Sequence, residues 1–162
     1  MRFRKWISAT AASLLLATSL SVAPMQAEET RTIADESIYD LLVDRYFNGS
    51  GKNDMNVNTQ DPTQFAGGDF VGLVSKGENI AKLGYTIVSI GPVFSTEKYD
   101  GSMPISYTEL DPHFGTAEEL TAAIDFFDSK KMKVMVDFPL SNVSANHEWA
   151  VNTDWIASTA NG

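Results

Sequence analysis

The sequence predicts an α/β fold in which parallel strands alternate with helices. Apolar runs of strand length are followed by stretches with apolar residues at helical spacing, the order expected of successive strand–helix units. The connections that follow the strands are long, whereas those that lead from a helix to the next strand are tight. In folds built from such units, the loops after the strand carboxyl ends form the binding site. With 43% hydrophobic residues over 162 positions, the chain has enough apolar material for a packed domain.

The first predicted strand, Ser37–Arg45, is a mostly apolar run that ends in two charged residues. Asp44 and Arg45 would be costly at the end of an apolar strand unless they are paired or hydrated. An ion pair between Arg45 and either Asp44 or Asp137 is the structural explanation. A role in a binding site at the strand end is the functional explanation.

The first predicted helix, Phe70–Leu83, has apolar residues at mostly helical spacing and is followed by Gly84, a suitable cap. The second predicted strand, Tyr85–Ile90, follows at once. Its nearly continuous apolar run is typical of a parallel strand that is buried on both faces.

The second predicted helix, Thr116–Lys131, begins with a capping box, because Thr116 can cap the first turn while Glu119 reaches back to it. We expect a buried apolar stripe along this helix, formed by Leu120, Ala123, Ile124 and Phe127. The third predicted strand, Lys133–Phe138, completes the pattern and carries Asp137 near its end.

The first 27 residues are typical of an export signal. A basic start, Met1–Lys5, precedes an apolar stretch and a segment that ends in Ala27, after which we expect cleavage. Residues 28–35 are then a short lead-in. The alternative is an uncleaved membrane anchor, because Trp6–Ala23 is at the lower limit of a spanning length. After cleavage, we expect a secreted, extracellular protein without membrane contact.

Charge and cysteine content exclude several classes of function. The formal net charge is −9, and an acidic protein repels the phosphates of nucleic acids and anionic membranes. We therefore expect no nucleic-acid partner. The absence of cysteine excludes disulfides, thiolate metal sites and a cysteine nucleophile.

The first long connection is rich in oxygen donors and in glycine. Its donors are Asn48, Ser50, Asn53, Asp54, Asn56, Asn58, Asp61 and Asp69. Calcium takes six to eight oxygens from carboxylates, amides and carbonyls, and a glycine-rich loop can wrap around it. The spacing is not that of an EF-hand. On composition alone, an ordinary solvated turn-rich loop explains these residues better than a calcium site.

Several segments, in order and at matching spacing, resemble the start of the α-amylase family of glycoside hydrolases (family 13). They are Val43–Gly49, Gly67–Phe70, Leu83–Ile87, Gly91–Phe94, Tyr99–Asp100, Asp111–Thr116 and Val134–Phe138. The resemblance implies a TIM (β/α)8 barrel. Residues 36–149 would form the first three β/α units of this barrel, and residues 150–162 would begin the insertion that follows its third strand.

The resemblance also implies residue roles in the first two loops. In family members with calcium on the first loop, the metal is held by side chains matching Asn48, Asn53, Asp54 and Asp69 and by a carbonyl matching Gly67. Ser50 stands where relatives often have Asn or Asp, which suggests looser binding. A tyrosine followed by Asp stacks on the sugar next to the cleaved bond, and this pair resembles Tyr99 and Asp100.

The third strand departs from the family pattern of Asp, three residues, then Asn-His. After Asp137, an ungapped match places Ser141 and Asn142 at the positions of that pair. The usual sugar-contacting histidine is therefore missing, and Asn142 would bind a sugar hydroxyl or, with a one-residue shift, a second calcium. We expect Arg45 and Asp137 to support the site. We interpret two further residues, His113 and His147, as structural.

The resemblance implies a secreted enzyme that acts on α-1,4-linked glucans such as starch and maltodextrins. The family uses a retaining mechanism with an Asp nucleophile, a Glu acid/base and a second Asp. These three residues would lie on later strands, beyond Gly162, so we expect this chain to be an inactive fragment on its own. The alternative is a non-catalytic, calcium-dependent carbohydrate-binding or scaffold protein on an amylase-like barrel.

Overall fold

The computed structural model describes residues 32–151. The predicted signal segment 1–27 and nearly all of the predicted insertion 150–162 lie outside the described residues. All of the described residues lie within one compact unit. After a single 3₁₀ turn, Ile33–Asp35, the chain enters the sheet.

The described sheet has three parallel strands that lie side by side in chain order, which confirms the predicted α/β class. The strands are β1 (Ile38–Leu41), β2 (Ile87–Ile90) and β3 (Lys133–Val136). Ile38 lies opposite Ile87 and Ile87 lies opposite Lys133. The central strand β2 is fully buried, as expected of a strand with neighbours on both sides.

The first strand is shorter than the sequence predicts. Instead of continuing to Arg45, the chain leaves the sheet after Leu41 and forms a one-turn helix, α1 (Val43–Tyr46). The turn places the Asp44 carboxylate inside the protein, where the backbone N–H groups of Ala66 and Gly67 donate to it. These bonds come from a distant part of the chain, so the spacing of apolar residues did not reveal them.

Helix α2 (Phe70–Lys82) and strand β2 lie close to their predicted bounds. Asp69 caps the amino end of the helix by accepting a hydrogen bond from the N–H of Gly72 at 2.5 Å. At the other end, Gly84 has a φ of +81°, the left-handed conformation expected of a glycine after a helix.

Helix α3 (Ala117–Ser129) has the predicted capping box between Thr116 and Glu119. Its buried stripe differs from the prediction at one position, because Ile124 is 41% exposed. Phe126, which the predicted stripe omitted, is instead half-buried and packs on Gly77 of α2. The small residue on α2 lets the aromatic ring approach closely.

The hydrophobic core lies between the sheet and the two long helices. Its buried residues include Phe70, Leu73, Ile80, Val88, Ile90, Phe114, Ala123 and Phe127. The short fourth helix, α4 (Glu148–Val151), follows β3 and its connecting segment. Within the part of the chain that the structure describes, no helix is long and apolar enough to cross a bilayer.

Candidate functional site

The loops that carry the predicted site residues all follow the carboxyl ends of the three strands. The first loop runs over residues 47–69, between α1 and α2, and the second runs over residues 91–116, between β2 and α3. The third loop, residues 137–147, connects β3 to α4. Because parallel strands end at the same edge of a sheet, these loops share one face of the molecule.

The buried carboxylate of Asp44 forms an ion pair with Arg45, which is one of the two ion pairs predicted for Arg45. The Arg45 Nε lies 3.0 Å from Asp44 Oδ2. Burial raises the pKa of Asp44, although the N–H groups of Ala66 and Gly67 and the Arg45 guanidinium act in the opposite direction. Asp44 therefore holds residues 66–68 against α1.

Arg45 connects three parts of the site. Beyond Asp44, its guanidinium donates to the carbonyls of Pro62 and Gln64 at 2.9 and 2.8 Å. The guanidinium carbon also lies 3.8 Å from the centre of the Tyr99 ring, a cation–π contact. The structure thus places Arg45 between the first loop and the predicted sugar-stacking tyrosine.

The Tyr99–Asp100 pair lies in a tight turn of the second loop. Asp100 Oδ1 accepts a hydrogen bond from the Ser102 N–H at 3.0 Å. Partial burial raises the pKa of Asp100, but the backbone N–H and hydroxyl of Ser102 outweigh this effect and the pKa is lowered. Gly101 has a φ of +70° and lies directly against Pro92, where a Cβ would be 2.2 Å from the proline Cβ. Both features require glycine.

The third loop contacts this turn through Asn142. The Asn142 Nδ2 donates to the carbonyl of Ser102 at 2.8 Å and contacts Met103 Sδ at 3.4 Å. Its Oδ1 accepts a hydrogen bond from the Ser141 hydroxyl at 2.8 Å. Asp137, in contrast, is exposed, and its carboxylate accepts the N–H of Phe138 at 3.1 Å.

Three of the predicted metal ligands lie together in the first loop. Asn48 Nδ2 donates to Asp54 Oδ1 at 2.8 Å. Gly67, with a φ of +89°, packs against both side chains, because a Cβ built on it would lie 2.6 Å from Asn48 Nδ2 and 2.8 Å from Asp54 Oδ1. An amide, a carboxylate and a glycine backbone therefore converge at one point.

The other two predicted ligands have additional structural partners. Both oxygens of Asp69, which is 1% exposed, accept backbone N–H groups from Gly49, Ser50 and Gly72. Asn53 Nδ2 donates to the carbonyl of His113 at 2.5 Å, which joins the first loop to the turn before α3. The predicted ligands thus also hold the loop in shape.

The connection between Asp111 and His113 was not identified in the sequence as a structural centre. Asp111 is buried and accepts hydrogen bonds from the Thr96 N–H and from His113. The His113 ring stacks on Phe65 with centroids 3.7 Å apart, and its Nε2 lies 2.8 Å from the carbonyl of Met55. This packing agrees with a structural role for His113. An Asp two residues before a His was the available signal.

A second group of contacts joins the third loop to the start of the second. Glu97 Oε1 accepts hydrogen bonds from the Ser144 hydroxyl at 2.5 Å and from Asn146 Nδ2 at 2.7 Å. His147 is 1% exposed and accepts the Trp149 N–H at 3.0 Å, as expected of a structural histidine. His147 contacts Tyr107 and Trp149 and so belongs to an aromatic cluster formed by Phe94, Tyr107, Phe138, His147 and Trp149.

The donor chemistry restricts what the first loop can bind. Among residues 32–151, no group of three or more His, Cys, Asp or Glu side chains is placed to hold a metal. A cation at Asn48, Asp54 and Gly67 would need amide and carbonyl oxygens as well as carboxylates, which is the donor set of calcium rather than zinc.

Comparison with known proteins gives a consistent family match. Residues 40–157 match the family model described as the alpha amylase catalytic domain. The chain is 34% identical over 109 residues to the beta/alpha-amylase of Paenibacillus polymyxa, covering 63% of this chain and 9% of that protein. It is 32% identical over 114 residues to the cyclomaltodextrinase of Geobacillus thermopakistaniensis, covering 65% of this chain and 19% of that protein.

Solved structures of α-amylases share the fold. The Anoxybacillus α-amylase superposes with a TM-score of 0.71 at 34% identity, over 76% of this chain and 28% of that one. The Geobacillus thermoleovorans α-amylase, solved with acarbose, superposes with a TM-score of 0.70 at 34% identity, over 80% of this chain and 29% of that one. The chain therefore spans less than a third of the length of these relatives.

Proposed function

The chain belongs to the α-amylase family of glycoside hydrolases, and on that premise we propose that it forms the first three β/α units of the catalytic barrel of a secreted enzyme. This enzyme hydrolyses α-1,4-linked glucans, such as starch and maltodextrins, with retention of configuration. The observation that carries the proposal is the catalytic-domain match over residues 40–157, which includes the end of β1, all of β2 and β3 and the loops at the strand carboxyl ends. The export-signal pattern of the first 27 residues supports secretion.

Tyr99 is the residue that we propose as the stacking platform for a glucose unit. The Arg45 guanidinium lies over its ring and holds it in place, and partial burial limits its motion further. An aromatic face suits a sugar, because the axial C–H groups of the sugar ring form an apolar patch. The adjacent Asp100 has a lowered pKa and is therefore ionised at neutral pH, when it can accept hydrogen bonds from sugar hydroxyls. Asn142 belongs to the same site.

The reacting carboxyl groups are proposed to come from other strands of the barrel. A retaining mechanism needs two carboxyls about 5 Å apart on either side of the cleaved bond. Asp44 does not fit this role, because it is buried, paired with Arg45 and bound by backbone N–H groups. Asp137 and Arg45 are proposed to support the site rather than to react.

Calcium is the cofactor that we propose for the first loop. Asn48, Asn53, Asp54 and Asp69 would hold the ion together with the carbonyl of Gly67. Two features of the loop support this assignment: Asn48 and Asp54 converge on Gly67, and the buried Asp69 carboxylate is oriented by three N–H groups. When bound, calcium would cross-link the first loop to the start of α2 and stabilise both.

Product stereochemistry and substrate range test the proposed activity. The protein expressed from its gene is incubated with soluble starch and with maltoheptaose, and released sugars are followed by reducing-end assay and by proton NMR. We expect α-anomers to appear first, as retention requires. Initial release of β-anomers would contradict the retaining mechanism. Binding of maltoheptaose without any cleavage would favour the non-catalytic carbohydrate-binding alternative.

A further inference from the structure

We infer that Asn142 positions Tyr99 for sugar binding by clamping the turn over residues 99–103, rather than by contacting the sugar. This inference rests on the proposed function, because it assigns a means of holding the proposed stacking platform. It concerns the position where the family resemblance leads one to expect a histidine. Asn142, which stands at that position, donates a hydrogen bond to the protein backbone at Ser102.

The amide of Asn142 is engaged by the protein on both sides. Its nitrogen has two N–H donors, and the structure gives it two acceptors, the carbonyl of Ser102 at 2.8 Å and the sulfur of Met103 at 3.4 Å. Its oxygen accepts from the Ser141 hydroxyl at 2.8 Å. Binding a sugar hydroxyl through either N–H group would require giving up one of the contacts to the turn.

The turn that Asn142 contacts has little freedom elsewhere. Asp100 accepts the Ser102 N–H, which closes the turn from within. Gly101 lies against Pro92, which blocks movement toward β2. The hydrogen bond from Asn142 to the carbonyl of Ser102 holds the turn from the side of the third loop. Backbone hydrogen bonds from Gly101 to Lys98 and from Glu97 to Met103 also close the turn within the second loop. From the third loop, Ser144 donates to the carbonyl of Pro104 just after the turn, and Asn142 is the residue whose side chain reaches the turn itself.

The restraint reaches Tyr99 through the backbone. Tyr99 begins the turn, and its ring must lie over the Arg45 guanidinium, 3.8 Å from the ring centre. A shift of the turn by a fraction of an ångström would separate the two groups or tilt the ring. Preorganising the ring in this way lowers the conformational entropy that sugar binding would otherwise lose.

A double-mutant cycle distinguishes positioning from direct contact. The probe is acarbose, and its affinity is measured by isothermal titration calorimetry for the wild type, Asn142→Ala, Tyr99→Ala and the double variant. If Asn142 acts through Tyr99, Asn142→Ala lowers the affinity about three- to tenfold, the loss expected for one hydrogen bond. In the Tyr99→Ala background, the same change has almost no effect.

If Asn142→Ala lowers the acarbose affinity by the same factor in the wild type and in Tyr99→Ala, the inference is overturned. Such a result would show that Asn142 contacts the sugar itself. The matched control is Asn58→Ala, an exposed asparagine of the first loop whose side-chain oxygen accepts the N–H of Gln60. We expect this variant to bind acarbose like the wild type. An equal loss in the control and in Asn142→Ala would also overturn the inference.

Hydrogen exchange tests the clamp without any sugar. We expect the backbone amides of residues 99–103 to exchange faster in Asn142→Ala than in the wild type, with no change in Asn58→Ala. Unchanged exchange in this segment would overturn the inference. If the wild type binds no acarbose, the proposed function fails, whereas the exchange result still decides whether Asn142 holds the turn.

Discussion

At the scale of single residues, the two carboxylates of the proposed metal loop differ in what they do for the protein. Asp69 caps α2 and accepts three backbone N–H groups, so its carboxylate is needed for the fold whether or not a cation is bound. Asp54 is exposed, and its carboxylate accepts a hydrogen bond from Asn48 and lies beside Gly67. Of these two carboxylates, Asp54 is therefore the one whose substitution can change metal binding without disturbing the fold.

We predict that Asp54→Asn weakens calcium binding about tenfold or more, because a carboxylate ligand loses its charge. At saturating calcium, a tenfold weaker affinity removes about 1.4 kcal/mol of the stabilisation that the ion provides. The stability without calcium should be almost unchanged. Thermal unfolding in calcium and in EDTA measures both quantities.

Asp69→Ala provides the contrast. It should destabilise the protein by about 1–3 kcal/mol even in EDTA, because it removes a helix cap and leaves buried N–H groups without an acceptor. Equal melting of the wild type with and without chelator, together with an unchanged Asp54→Asn variant, would rule out the proposed calcium site.

Gly67 and Gly84 form a matched pair for a second prediction. Both have a left-handed φ, +89° and +81°, but a Cβ on Gly67 would meet Asn48 and Asp54, whereas a Cβ on Gly84 meets nothing within 4 Å. Gly84→Ala should cost about 1–2 kcal/mol from backbone strain alone. Gly67→Ala should cost more than this and also weaken calcium binding.

Chemical denaturation with and without calcium tests the pair. Equal losses of stability in the two variants, with calcium affinity intact in both, would show that Asn48 and Asp54 do not pack on Gly67 as the structure has them.

Some of these residues could be predicted from the sequence and others could not. The family resemblance grouped Asn48, Asp54 and Gly67, and the structure places them side by side, whereas their role as metal ligands stays a prediction. The second role of Asp69 as a helix cap follows from a standard cap position and could have been predicted from its place before Phe70. The contact of Arg45 with Tyr99 could not, because it joins residues far apart in the chain.

At the scale of elements, the two predicted long helices and the parallel order of the strands were confirmed. The predicted end of the first strand was wrong. Local patterns determine a helix such as α3, whose capping box and apolar spacing lie within a few residues. The end of β1 depends instead on Asp44, whose N–H partners, Ala66 and Gly67, lie more than twenty positions further along the chain. A periodicity of apolar residues carries no information about such partners.

The contact between the second and third loops leads to a pH prediction. The Ser144 hydroxyl and the Asn146 amide lower the pKa of Glu97 below its usual value of 4.5. Because the folded-state pKa is depressed, ionised Glu97 stabilises the contact above about pH 4.5, and this contribution is lost as the pH falls through the lowered pKa. We expect the third loop to loosen in acid, which Trp149 fluorescence and hydrogen exchange over residues 142–147 would report.

Glu97→Gln is the control for this effect, because its amide oxygen still accepts both hydrogen bonds but does not titrate. The acid-induced loosening should be smaller in this variant. An identical pH profile in the wild type and in Glu97→Gln would mean that another group, such as Asp100, whose pKa is also lowered, controls the loop.

At the scale of the whole molecule, the described sheet has two edge strands and several exposed apolar side chains beside them. Ile38 on β1 and Met135 on β3 are each 42% exposed, and Phe138 and Leu140, just after β3, are 45% and 69% exposed. An edge strand presents unpaired backbone groups, and a closed barrel removes such edges altogether. In the proposed barrel, further strands would cover these positions.

We therefore predict that a polypeptide of residues 28–162, produced alone, self-associates and binds the apolar dye ANS. Edge pairing and burial of the Phe138 and Leu140 side chains would drive association, so replacing both by Lys should shift the polypeptide toward monomer in analytical ultracentrifugation. The matched control replaces Leu83 and Ile124, which are also exposed but lie on the helical side, 63% and 41%. If association depends on the sheet edge, this control leaves it unchanged. A polypeptide that stays monomeric and binds no dye would show that the three β/α units are sufficient without further strands.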